Sequence, residues 1–185
     1  KSILKMTNLR YLDISNNPIG YLPTDWSSLS NLVIVVFSNM FLNDIVFSNN
    51  SFPKLRKIDM SNNNLTKVDE TLLINENIEE LIMNNNIITD MSMPPNVVIA
   101  DFSYNKIHIL NSYIARRLES IDLTHNYLSF ENLANWNFTS LNIIYPILTV
   151  SYTNLCNGIN CVEGIDRDLS WLTLITKYSE INMIN

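Results

Sequence analysis

Imidazole and thiol chemistry in this chain rests on four residues, His108, His125, Cys156 and Cys161. Acid–base or nucleophilic catalysis needs such a group beside an activating partner, in a site that excludes water. His108 follows a turn asparagine in NKIHIL and is expected to face solvent, while His125 precedes Asn126. Neither has a serine or cysteine at a strained turn nearby. Glycine occurs only at Gly20, Gly158 and Gly164, too sparsely to build a phosphate-cradling loop. The cysteines lack a second cysteine or histidine pair at zinc-ligand spacing. Enzymatic activity, a metal and a cofactor are therefore not expected in this segment. The chemistry that does recur is that of the amide. Asn17, Asn63, Asn86, Asn105 and Asn126 stand at matched places in apolar text, and an amide side chain offers a donor and an acceptor together.

The surrounding spacing shows what positions them. LRYLDISNNPI places Leu9, Leu12, Ile14 and Ile19 around Asn17. The same offsets return in LRKIDMSNNNL, IEELIMNNNII, VVIADFSYNKI and LESIDLTHNYL, and more weakly in LVIVVFSNMFL, where Met40 stands in the asparagine slot. The copies start at 9, 32, 55, 78, 97 and 118, so the steps are 23, 23, 23, 19 and 21. Six copies in register define a repeat architecture. Leu12 and Ile14, two apart, suit the inward side of a short strand, and Leu9 and Ile19 are expected to turn inward on either side. Met40 predicts a local irregularity in the second coil. Tight coils bury backbone groups at each bend that need partners, so one asparagine per coil can form a ladder. On this reading Asn63→Ala costs around 1–3 kcal/mol, and Asn62→Ala is nearly neutral.

These residues resemble leucine-rich repeats, whose signature LxxLxLxxNxL recurs every 20–29 residues or so. The resemblance spans roughly residues 3–130, and GYLPTDWSSLSN resembles the family's convex tail. It implies an α/β solenoid: a horseshoe with a concave parallel β-sheet, an irregular convex side and a C-terminal helical cap. The expected organisation is repeats over 1–130, a degenerate last repeat over 131–155 and a cap over 156–185. Ile3, Leu4 and Met6 read as the tail of an earlier coil, which suggests a piece of a longer repeat protein. KSILKMTNLR carries no cleavable apolar core.

A net charge of −6 argues against an electrostatic grip on nucleic acid. No apolar run reaches the length of a membrane span, so no membrane insertion is expected in this segment. Past Leu128 the pattern blurs. LNIIYPILTVSYTNLC holds a candidate last coil, with Leu148 and Val150 inward. Beyond CNGINC, residues Leu169, Trp171, Leu172, Ile175 and Tyr178 fit an amphipathic helix. This arrangement resembles the cysteine-bearing C-terminal caps of extracellular leucine-rich repeat proteins of the Toll-like receptor kind, although those caps usually carry two further cysteines. The resemblance implies a Cys156–Cys161 disulfide, worth roughly 2 kcal/mol by loop entropy. Partners past Asn185, or two reduced thiols, are the alternatives. Three glycosylation sequons, at Asn49, Asn64 and Asn137, do not decide the compartment, because an Asn-, Ser- and Thr-rich chain shows about as many by chance.

Residues alternating with the inward pair are displayed on the concave sheet. One column runs Tyr11, Ile34, Lys57, Glu80, Ile99 and Ser120; the next runs Asp13, Val36, Asp59, Ile82, Asp101 and Asp122. A third, small and polar, runs Ser15, Ser38, Ser61, Asn84, Ser103 and Thr124, and beyond it Tyr104 and His125 follow Asn16, Asn39, Asn62 and Asn85. The candidate ligand-binding residues are Tyr11, Ile34, Val36, Lys57, Asp59, Ile82, Ile99, Asp101, Tyr104, Asp122 and His125. The expected function is protein or peptide recognition by a secreted or cell-surface protein or receptor ectodomain. A basic ligand segment is the candidate for the Asp101–Asp122 half. An intracellular scaffold or regulatory subunit is the alternative, and substrate-selecting repeats of an enzyme a third.

Overall fold

The computed structural model describes residues 3–110, 117–128, 147–151 and 180–184. Each repeat contributes one three-residue strand: β1 (Tyr11–Asp13), β2 (Ile34–Val36), β3 (Lys57–Asp59), β4 (Glu80–Ile82), β6 (Ile99–Asp101) and β8 (Ser120–Asp122). The middle residue of each, from Leu12 to Ile121, is buried, while its neighbours face outward. Successive strands pair in parallel, and β9 (Ile147–Ser151) and β10 (Glu180–Ile184) continue the sheet in the order β1-β2-β3-β4-β6-β8-β9-β10. The registers reproduce the two columns read from the sequence, Tyr11 to Ser120 and Asp13 to Asp122. Leu148 falls in line with Ile121, and Ile181 with Leu148. β5 (Asp90–Met91) and β7 (Ile109–Leu110) form a separate two-stranded parallel sheet.

The expected solenoid and its parallel sheet are present among the described residues, with little of the expected helix. Among the described residues the α-helix is a single turn, α1 (Glu70–Leu73), capped by Asp69, whose Oδ1 accepts from the Thr71 amide at 3.0 Å. Prolines at 23, 53, 94 and 95 interrupt the convex segments, and proline in a helix interior removes a bond and clashes with the preceding turn. Two 3₁₀ turns, Ile3–Lys5 and Ser27–Leu29, stack one above the other, with Ser28 Oγ donating to the Leu4 carbonyl at 3.0 Å. The helix expected over Leu169–Tyr178, and both cysteines, lie outside the described residues.

Beneath the convex loops Trp26, Phe37, Phe47 and Phe52 form one buried aromatic cluster, with ring centroids 5.0–6.5 Å apart. Along the strand exits Asn63, Asn86, Asn105 and Asn126 form a ladder. Asn86, Asn105 and Asn126 each donate to two carbonyls of their own coil and one of the coil before, and each accepts an amide from that preceding coil. Asn63 does the same for the second coil and accepts two amides. Asn17 differs: it is exposed and bonds only the Ile14 and Ser15 carbonyls of its own coil.

Met40 is wholly buried, and the irregularity it announces lies next to it, at Phe41, which has φ 55. Ile19 is 43% exposed rather than inward. Without an amide at position 40, its N–H is left to close a tight turn on the Asn17 carbonyl.

A second amide ladder, which the sequence reading missed, runs along the strand approaches. Asn31, Asn77 and Asn96 sit one residue before each coil's first inward position and donate to the preceding coil, at Thr7, Pro53 and Glu76. Lys54 fills that slot in the third coil and donates back to Asn31 Oδ1 at 2.9 Å.

Candidate functional site

The outward columns are unequal in what they present. Tyr11 (54%) and Ile99 (43%) are exposed, whereas Ile34, Val36, Lys57, Asp59, Ile82, Asp101 and Asp122 are half-buried between their neighbours. Lys57 Nζ meets Glu80 at 2.6 Å in the adjacent strand, so this cation is already paired within the face. Glu79, at the strand approach, lies 3.5 Å from Arg56 and 3.9 Å from Arg117. Ile34 beside Lys57, and Ile82 beside Asp59 and Asp101, break the charged columns into short apolar stretches.

The aspartates have a local task that the sequence reading did not assign. Asp13, Asp59, Asp101 and Asp122 each accept, through Oδ1, the backbone N–H two residues on, at 2.8–2.9 Å. This is an Asx turn, in which the side chain takes the place of a backbone acceptor. It folds the strand exit over the third column, and Ser61, Ser103 and Thr124 are buried there instead of displayed. The following residue then turns left-handed in every coil: Asn16, Asn39, Asn62, Asn85, Tyr104 and His125 have φ between 53 and 58. Asparagine tolerates that conformation and alanine does not, so Asn62→Ala adds strain and the near-neutral expectation for it does not hold. The Tyr104 and His125 rings stack, centroids 4.0 Å apart and 16° from parallel.

Asp101 is the electrostatically burdened member of the face. Burial raises its pKa above the ordinary carboxylate value, the hydroxyl and amide of Ser103 counter this, and the charges of Asp122 and Asp59 add to the rise. The folded state therefore holds this proton more tightly than the unfolded chain. Its contribution to stability is greatest at acid pH and declines as pH rises from the ordinary carboxylate range through the raised value. Asparagine keeps the acceptor for Ser103 without the charge. Asp101→Asn is accordingly expected to stabilise the protein at pH about 7 and to lose that advantage at pH about 3. Urea midpoints at the two pH values test this; an equal difference at both refutes it.

His108 is exposed, with Nδ1 3.1 Å from the Lys106 carbonyl. Of the sequon asparagines, Asn49 and Asn64 are exposed and Asn137 lies outside the described residues. Among the described residues no cluster of His, Cys, Asp or Glu could hold a metal ion, and no helix is long and apolar enough to cross a membrane.

The repeat geometry coincides with a sequence match. The family described as Leucine Rich Repeat matches residues 8–32 and 54–75. Those two segments are leucine-rich repeats, and the other coils repeat their spacing. Among solved structures, this chain is similar to the functional domain of InlJ from Listeria monocytogenes, a domain that includes a cysteine ladder. Identity is 17% with a TM-score of 0.45, over 92% of this chain and 48% of that one. The chain thus spans about half the length of that structure. No curated protein matches it. Leucine-rich repeats imply a protein-interaction module.

Proposed function

We propose that the chain recognises a protein or peptide ligand on its concave face, as part of a secreted or cell-surface protein or receptor ectodomain. The observation that carries this reading is the face itself. Parallel strands bring Tyr11, Ile34, Ile82 and Ile99 together with Asp59, Asp101 and Asp122 on one continuous, solvent-accessible sheet. Exposed aliphatic and aromatic groups rimmed by charge have the composition of a recognition surface. His108 and His125 are engaged with a carbonyl and a tyrosine ring, an arrangement that favours binding over catalysis. The extracellular setting rests on the likeness of the CNGINC–LSWL segment to cysteine-bearing caps.

The binding reading is tested by selecting peptides from a random library on the intact chain. Tyr11→Ala and Ile99→Ala are expected to weaken the selected peptides at least about 10-fold relative to the convex variant Glu70→Ala; equal effects place the surface elsewhere. The compartment is tested by thiol titration of the denatured, unreduced protein. No free thiol is expected; two free thiols favour the cytosolic scaffold.

A further inference from the structure

At the left-handed position the first four coils use asparagine, and the next two use Tyr104 and His125. Tyrosine carries a conformational cost there that asparagine largely avoids. The outcome is a stacked pair of rings at the exits of two neighbouring strands, with Tyr104 52% exposed and His125 also exposed. Three residues earlier in the same coils stand Asp101 and Asp122, directly paired across adjacent strands. Their Oδ1 atoms are committed to the turn amides; their Oδ2 atoms accept no hydrogen bond from the described residues.

The charge pattern singles out this end of the face. All three ion pairs among the described residues use Glu79 or Glu80. Among the described residues no cation meets Asp59, Asp101 or Asp122, although like charges on neighbouring strands oppose one another. A visiting cation would relieve that repulsion. A planar one could also lie on the outer face of the stacked pair.

We propose that Tyr104, His125, Asp101 and Asp122 form a receptor for an arginine side chain carried by a partner polypeptide. This deepens, and rests on, the concave-face reading above. The guanidinium is planar, stacks on aromatic faces and offers a fork of donors to carboxylates; the lysine ammonium is a hydrated point charge that cannot stack. The proposal therefore separates arginine from lysine.

The test uses two fluorescent glycine-spaced peptides, one carrying arginines and one lysines, titrated against the intact chain at low salt by anisotropy. The arginine peptide is expected to bind about 10-fold more tightly. The double variant Asp101→Asn/Asp122→Asn is expected to weaken both peptides at least about 10-fold, as is raised salt. Tyr104→Asn/His125→Asn, which installs the residue native to that position in four other coils, is expected to keep the melting temperature and abolish the arginine preference. Glu70→Gln should change nothing. Equal binding of the two peptides, or a preference that survives loss of both rings, overturns the arginine site. If Tyr11→Ala and Ile99→Ala still weaken library-selected peptides in that event, the concave-face reading stands and only this site falls. If those changes are also without effect, both fall.

Discussion

Trp26→Ala is expected to lower the unfolding free energy by about 3–5 kcal/mol. The indole is 1% exposed and lies between two phenylalanines, 5.3 Å from Phe37 and 5.6 Å from Phe52, and Phe47 packs edge-on against Phe52 at 5.0 Å. Truncation leaves a cavity where the first and second coils meet, and phenylalanines that touch one another have little room to collapse into it. Its polar groups are also used: Nε1 donates to the Pro23 carbonyl at 2.7 Å, and the backbone N–H to Ser51 Oγ at 3.1 Å. Trp26→Phe refills most of the volume and forfeits only the indole donor, so less than half the loss is expected. Because each coil of a solenoid is stabilised mainly by its neighbours, the damage should be local. Urea unfolding followed by circular dichroism should show an early step or a lowered m-value for Trp26→Ala. A loss under about 1 kcal/mol would show that the cluster is not a structural centre.

Asn63→Ala is expected to cost at least about 3 kcal/mol, the top of the range that a single unpaired buried group sets. One amide here serves five backbone groups. Nδ2 donates to the Phe37, Met60 and Ser61 carbonyls at 2.9–3.0 Å, and Oδ1 accepts the amides of Met40 and Leu42, each at 3.0 Å. The second coil has methionine in its own ladder slot, so its strand exit depends on Asn63. Asn17→Ala is the comparison. That amide is exposed and bonds only its own coil, and a cost below about 1 kcal/mol is expected. Similar losses for the two in thermal unfolding would show that burial and cross-coil bonding do not set the ladder's strength.

The sheet was readable because inward residues two apart, such as Leu12 with Ile14 or Ile58 with Met60, admit one register once the repeat is aligned. The first ladder was readable for the same reason. The Asx turns had a signal that went unused: an aspartate two residues before serine or threonine, at Asp13, Asp59, Asp101 and Asp122. Reading those carboxylates only as surface charge missed that half of each is committed to the fold. The second ladder also had a signal, asparagine one place before Leu32, Ile78 and Val97. The aromatic cluster had none, since Trp26, Phe37, Phe47 and Phe52 follow no period. The left-handed turn at Tyr104 and His125 lies in a dihedral angle that side-chain type does not reveal. The stacked rings therefore became visible only in three dimensions.

The exit ladder points one way. Each asparagine reaches back, so the amides of Leu42, Leu65, Ile88 and Ile107 are held by Asn63, Asn86, Asn105 and Asn126 of the coils that follow. Their exchange with deuterium therefore reports on the next coil more than on their own. Read in order, these four amides form a row of clocks, each timing the opening of its neighbour. A solenoid that frays from its far end would release the Ile107 amide first and the Leu42 amide last.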